Sequence, residues 1–310
     1  MVTGSWRLES WRWVPQARRL RGAVPCRVAV VAVAASAAFG CDVNRALERI
    51  SEARRLAADL LVQFTKTSDA ANRAVMADTD EASLAFAREA EQATAAIPKD
   101  ADALGRVLQD LGYSNEIRLL GEFNSRFAEY RELDRRILDL AVENTNLKAQ
   151  RLSFGPAQEA ATAFRDSLEA VAAASPPHDK WQVDALVARA VATLRAIQVL
   201  QAPHIANADE AVMTRMEKEM AASESAVRSA LEMLGRIAPP ASRPRLAAAS
   251  ASLDQFLELN TQIIALSRRN TNVRSLALSL DQKRTLTTAC EESLRALRDA
   301  LAKRGYSSAR

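Results

Sequence analysis

The chain has 310 residues, of which 48% are hydrophobic, 26% charged and only 5% aromatic, with nine Gly and ten Pro. A chain of this length can bury one or two real cores, and its dominant Ala, Leu, Arg and Glu favour helix, while no period-2 run bounded by turns argues for strands. The net charge of +4 sits entirely in residues 1–40, where six Arg and the single acid Glu9 give +5; the rest, with 36 basic and 37 acidic side chains, lacks the basic face that nucleic-acid binding needs.

Residues 1–40 read as an export signal. An Arg-rich segment precedes Val28–Phe39, an apolar run too short to span a bilayer as a stable anchor. Gly40-Cys41 follows at once. A small residue before Cys resembles a bacterial lipoprotein signal, which implies lipidation of Cys41 and attachment to the membrane on the periplasmic side of the cell envelope. The pattern departs from that signal at Ala38, where Leu is usual, and at Phe39, where a small residue is usual. Ala35-Ser36-Ala37 offers a second cleavage site that would release a soluble secreted protein, and an uncleaved N-terminal anchor is a third reading. The only cysteines are Cys26, Cys41 and Cys290, which excludes a disulfide framework.

Beyond the leader the apolar spacing predicts a helix from about 42 to 77. Asp78-Thr-Asp-Glu81 restarts the chain into a second helix, which Ile97-Pro98 should break, with a short continuation to Leu111. Gly112 stops it and Ser114 begins a long third helix, to about 151. Ser153-Phe-Gly-Pro156 starts a fourth, ending at Pro176-Pro177. Further helices are expected over 179–201, 203–237, 243–277 and 280–303, with a break at Ala202-Pro203 and a capping box at Ser279-Leu-Asp-Gln282. The final residues, 306–310, are polar and expected to fray.

Tyr130–Ala170 returns without a gap as Phe256–Ala296, 126 residues later. The clearest stretch sets Ile137-Leu-Asp-Leu-Ala-Val-Glu-Asn-Thr-Asn against Ile263-Ile-Ala-Leu-Ser-Arg-Arg-Asn-Thr-Asn. The expected fold is therefore all-α, with long antiparallel helices forming two up-and-down four-helix-bundle repeats, 41–175 and 176–305.

In both copies a coiled-coil-like 4-3-4-3-4 spacing places Asn144 and Asn270 on the apolar seam. Asn144, Thr145, Asn146, Asn270, Thr271 and Asn272 are thus candidates for a buried polar layer or a ligand-contact layer between helices. As a seam Asn, either should yield greater thermal stability when replaced by Leu. Cys290 fits a small buried hydrophobe, Trp181 should pack the start of the fifth helix, and His178 and His204, each beside a helix-breaking Pro, are expected at the surface. No Glu-x-x-His pair, Cys-x-x-Cys-His, phosphate loop or Gly-x-Ser-x-Gly occurs, so neither a metal, a cofactor nor an enzymatic activity is expected.

Tyr130-x3-Asp134-x2-Ile137-Leu-x-Leu-Ala, a polar break, and Ala149-x2-Leu152-Ser before an amphipathic helix resemble the four-helix-bundle sensory domain of methyl-accepting chemotaxis proteins. Two tandem copies are similar to helical bimodular sensors, a resemblance that implies binding of small organic acids. Arg residues on bundle helices serve that family's ligands, but Arg54 and Arg55 on the first helix look like ordinary solvated charges. A second transmembrane helix and a signalling hairpin are not seen. The reading is a non-enzymatic, lipid-anchored envelope protein that binds a small polar ligand or docks a protein partner, with a homodimer a compatible assembly. The alternative is an extracytoplasmic sensory input domain that signals through a separate partner.

Overall fold

The computed structural model describes the backbone over residues 29–307 and the side chains over residues 45–304. The Arg-rich start of the leader, the Cys41 side chain and nearly all of the 306–310 tail lie outside these. The chain divides into two compact units, residues 1–48 and 49–310, and the second holds the bundles. Helix α1 (Ala29–Met76) leads into it. Then come α2 (Asp80–Asp110), α3 (Ser114–Glu143), α4 (Thr145–Phe154) and α5 (Pro156–Ala173). They are followed by α6 (Lys180–Ala206), α7 (Glu210–Ile237), α8 (Arg243–Arg269), α9 (Thr271–Leu278) and α10 (Arg284–Ser307). A 3-10 turn (Pro240–Ser242) precedes α8 and a π turn (Ser279–Lys283) precedes α10. No strand occurs among the described residues, and none of their helices is long and apolar enough to cross a membrane.

Several boundaries arise from local chemistry. Thr79 Oγ1 accepts from Ala82 N at 3.1 Å and caps α2; Asp209 Oδ1 accepts from Ala211 N and Val212 N at 2.8 and 3.1 Å and caps α7. Gly112 ends α2 in the left-handed region at φ 68°, where a Cβ would be strained. The two proline breaks do not form. Helix α2 runs through Pro98 and α6 through Pro203. Ile97 and Ala101 are both buried, and core burial on either side of Pro98 outweighs the ~3 kcal/mol that an interior proline costs. Helix α6 instead ends at Ala206, before the Asp209 cap.

Two cores organise the unit. In the first, Ala57, Leu60 and Phe64 of α1 meet Ile97 and Leu104 of α2, Phe123 and Tyr130 of α3, and Cys290, Leu294 and Leu297 of α10. Phe64 stands edge-on to Phe123 and Tyr130, at centroid distances of 6.1 and 5.0 Å. In the second, Phe164 and Leu168 of α5 meet Val183 and Leu194 of α6, Met220 and Leu234 of α7, and Phe256 and Ile263 of α8.

This arrangement changes how the repeat maps onto space. Boundaries 41–175 and 176–305 mark the two sequence copies, but the bundles exchange one helix across them. Helix α5, last of the first copy, completes the second bundle; α10, last of the second copy, completes the first. The exchange occurs because Ser153–Pro156 does not turn the chain back. Gly155 N donates to Arg151 O and Glu159 N to Gly155 O, both at 3.0 Å, so helical bonding carries through the break and the chain continues into the next bundle. The repeated segments therefore pack on each other, α3 against α9 and α10, and α8 against α4 and α5.

Candidate functional site

The Asn-Thr-Asn segments sit where the two copies cross. Asn144 and Asn270 are buried, as the seam spacing suggests, but they are not helix-interior residues. Both adopt the left-handed conformation, φ 51° and 54°, and divide α3 from α4 and α8 from α9. Asn tolerates this geometry better than other side chains with a Cβ. Each break frees N–H groups at the start of the following helix, and each copy caps the other. Thr145 N donates to Thr271 Oγ1 at 3.2 Å and Thr271 N to Thr145 Oγ1 at 3.1 Å. Asn146 N and Asn272 N each donate to the other residue's Oδ1, both at 3.1 Å. Asn146 Nδ2 reaches Asn270 Oδ1, and Asn272 Nδ2 reaches Asn144 Oδ1, each at 2.8 Å. The result is a local two-fold. All six candidate residues meet one another there, as a layer of mutually capped groups. Replacement of either αL Asn by Leu would strain the backbone and orphan these groups, so the stability gain expected for a seam Asn is corrected to a loss.

The layer also holds the end of α6. Asn146 Nδ2 donates to Ile205 O and Asn270 Nδ2 to Asn207 O, both at 2.6 Å. His204, in the last turn of α6, is fully buried rather than at the surface. Its Nδ1 lies 2.7 Å from Ser267 Oγ and its Nε2 2.9 Å from Glu217 Oε1. Arg268 donates to both Glu217 oxygens from one guanidinium edge, Nε and Nη2, at 2.7 and 2.9 Å and, helped by His204, holds that carboxyl below the usual Glu range. Ser, His and Glu stand in series here, but Ser267 is fully buried and its hydroxyl donates to His204 O at 2.9 Å. The group is a strut that runs from buried Ser267 and His204 to the half-exposed Glu217 and Arg268. Next to it, the Ser153 hydroxyl donates to Gln201 Oε1 and Gln201 Nε2 to Asn260 Oδ1, at 2.8 and 2.9 Å. A helix break at Pro203 would leave His204 outside any helix interior, which is why the sequence points it to the surface; the mutual spacing of His204, Glu217 and Ser267 carries no local signal.

The first bundle holds a different polar group at the equivalent place. Lys283 and Asp134, both buried, form an ion pair at 2.8 Å, and Lys283 Nζ lies 5.8 Å from the ring centre of Tyr130. Burial raises the Asp134 carboxyl and lowers the Lys283 ammonium, each partly offset by the other's charge. Burial, reinforced by Asp134, pushes the Tyr130 phenol well above its ordinary value. Their counterparts 126 residues away are Asn260 for Asp134 and Ala157 for Lys283. The π turn at Ser279–Lys283, where the sequence suggests a capping box, carries the Lys283 side chain inward. The clue that could have revealed the pair is the joint change of two positions between copies.

A cleft of about 340 Å³ opens beside this pair. It lies between α1 (Ser68, Asn72, Val75, Met76) and the α9–α10 segment (Leu276, Ser279, Leu280, Lys283, Arg284, Thr287, Thr288).

The remaining candidates are structural. Cys290 is fully buried, as expected, and burial pushes its thiol up to about 12. Arg54 is more than a solvated charge, since it donates to Leu301 O and Ala302 O and ties α1 to α10; Arg55 pairs with Asp59 at 2.9 Å. His178 is exposed beside Asp179. Trp181 is 69% exposed and does not pack the start of α6. Among the described residues no cluster of three or more His, Cys, Asp or Glu side chains could hold a metal ion.

Compared with known protein families, with curated proteins and with solved structures, the chain finds no match.

Proposed function

We propose that this protein is a non-enzymatic, lipid-anchored module of the bacterial cell envelope that binds a small polar ligand, with Cys41 as the anchored residue. The observation that carries the ligand reading is the cleft beside Lys283, a buried cation in a bundle interior where the other copy is neutral. Pockets of a few hundred Å³ with a few convergent polar groups are the usual form of small-molecule sites. Two measurements test the proposal. Cys41→Ser should abolish labelling of the protein by a fatty-acid analogue, and labelling that survives refutes the anchor. A thermal-shift screen of amino acids and organic acids on the full chain should yield a stabilising compound, because binding to the native state alone raises Tm. A screen without any such compound refutes the ligand reading.

A second reading, an extracytoplasmic sensory input domain working through a separate partner, is favoured by the crossover. Helices that run from one bundle into the other through a hydrogen-bonded layer give ligand-induced strain in one bundle a direct route to the other. Under that reading the ligand should alter hydrogen exchange in α6 and α7 as well as around the cleft. Protection confined to the cleft argues for simple binding.

A further inference from the structure

We infer that the tip of the second bundle, built from the start of α6 and the end of α7, seats on an anionic lipid bilayer. The contact is separate from Cys41 and from the cleft beside Lys283.

Trp181 opens α6 and is 69% exposed, roughly 36 Å along the helix from Ile205 at the crossover. With Leu186 of α6 and Met233, Arg236 and Ile237 of α7 it lines a hollow of about 340 Å³. An exposed aromatic ring among apolar side chains marks a contact surface. The internal repeat shows that the bundle frame does not require it. Helix α1 ends at Met76 and α6 at Ala206, 130 residues on; α2 begins at Asp80 and α7 at Glu210, again 130 on. At that spacing buried Ala53 and Phe64 match Val183 and Leu194, and buried Ile97 and Leu104 match Val227 and Leu234. The counterpart of Trp181 is then Ser51 and that of Met233 is Ala103. At that end of the first bundle Arg49 is also held by Glu52 and Asp110, at 3.1 and 3.2 Å.

Charge and backbone chemistry identify the occupant. Over residues 174–182 and 233–245, Lys180, Arg236, Arg243 and Arg245 stand against a single acid, Asp179, for a net +3, and Asp179 lies 2.9 Å from His178. Among the described residues neither Arg236 nor Arg243 has an acidic partner. Basic side chains beside an exposed Trp suit a bilayer interface, where indole lies at headgroup level and each Lys or Arg is drawn to anionic lipid. The loops at this end suit it too. Ala174-Ser-Pro-Pro177 and Ala238-Pro-Pro-Ala-Ser242 carry no charged side chain, and their four Pro have no N–H to desolvate. Ser175 N, Ala238 N and Ser242 N donate to Ala172 O, Leu234 O and Pro239 O. A protein surface can pair open loop N–H groups, whereas lipid tails cannot, so loops closed in this way favour lipid.

The test uses the full chain with Cys41→Ser, and with Trp6→Phe, Trp11→Phe and Trp13→Phe, which leave Trp181 the one tryptophan. Vesicles of equal parts phosphatidylcholine and phosphatidylglycerol, brominated on the acyl chains, quench only an indole that enters the bilayer surface. Vesicle binding through the leader alone therefore gives no signal. Trp181 emission should be quenched and shifted to shorter wavelength on these vesicles, and unchanged on brominated phosphatidylcholine alone. Each Arg near an anionic surface contributes roughly a fivefold factor, so Arg236→Gln/Arg243→Gln should lower the ratio of quenched to free Trp181 about 25-fold. Both positions are exposed, and the variant should keep the parent's helical circular dichroism; the contrast between the two lipids needs no variant at all. Absence of quenching on the anionic vesicles overturns the inference and leaves the tip to a protein partner. Quenching that is equal on phosphatidylcholine alone, or that the double variant leaves unchanged, overturns it as well.

Discussion

Asn270 gives the sharpest test of the crossover. Its backbone lies at φ 54°, and its amide links Asn146 at 2.8 Å to the Asn207 carbonyl at 2.6 Å. Asn270→Gly keeps the backbone unstrained but removes both bonds. Each buried bond is worth about 0.5–1.5 kcal/mol net, and the residual carbonyl adds a desolvation cost, so the expected loss is about 2–3 kcal/mol. Asn270→Ala removes the same bonds and also forces a Cβ into the left-handed region, adding about 1 kcal/mol for an expected ~3–4 kcal/mol. Urea unfolding of both variants, followed by far-UV circular dichroism, measures the two losses. The order is the decisive part, because both variants lack the amide and differ only in the Cβ. If the Ala variant is the more stable of the two, or if both match the parent within ~0.5 kcal/mol, the crossover is not held as described.

Other expected outcomes rest on single positions. Gly112→Ala, at φ 68° with no atom within 4 Å of the added Cβ, should cost about 1 kcal/mol through backbone strain alone, whereas Gly121→Ala, equally open but inside α3, should gain about 0.5–1 kcal/mol; denaturation midpoints that move in the same direction would contradict this. Arg304 holds the Glu116 carboxyl below the usual Glu range and Arg268 does the same for Glu217. Each folded-state pKa is thus below its unfolded value, so the stabilisation is present above the ordinary Glu range and is lost as pH falls through the depressed folded values. Tm measured against pH should therefore fall less steeply in acid for Glu116→Gln than for the parent. Asp134 has the opposite sign: burial raises its pKa, so its protonation on acidification offsets part of that fall. Asp134→Asn should remove this offset and steepen the acid limb.

The sequence by itself determined the helices, the duplication and the burial of the Asn-Thr-Asn layer. These are local or periodic properties: a seam spacing states which face of Asn144 and Asn270 turns inward, and the 126-residue repeat states that both do. Gly112 and the Thr79 cap were legible for the same reason, since each acts on its own backbone within three residues; the Asp209 cap was not, because 203–237 reads as one helix. Proline was the exception. Pro98 and Pro203 penalise a helix locally, but buried neighbours on both sides, which no local rule weighs, keep it intact. Only the tertiary structure decided which helix completes which bundle. The two copies carry equivalent apolar stripes, so either pairing satisfies the pattern. The choice falls to a few bonds that carry the chain straight through Gly155 instead of turning it back. The Lys283–Asp134 pair and the His204–Glu217–Arg268 strut belong to the same class. Each unites residues from different helices, and the Lys283–Asp134 pair forms only because α10 enters the first bundle, a long-range event that hydrophobic periodicity leaves open.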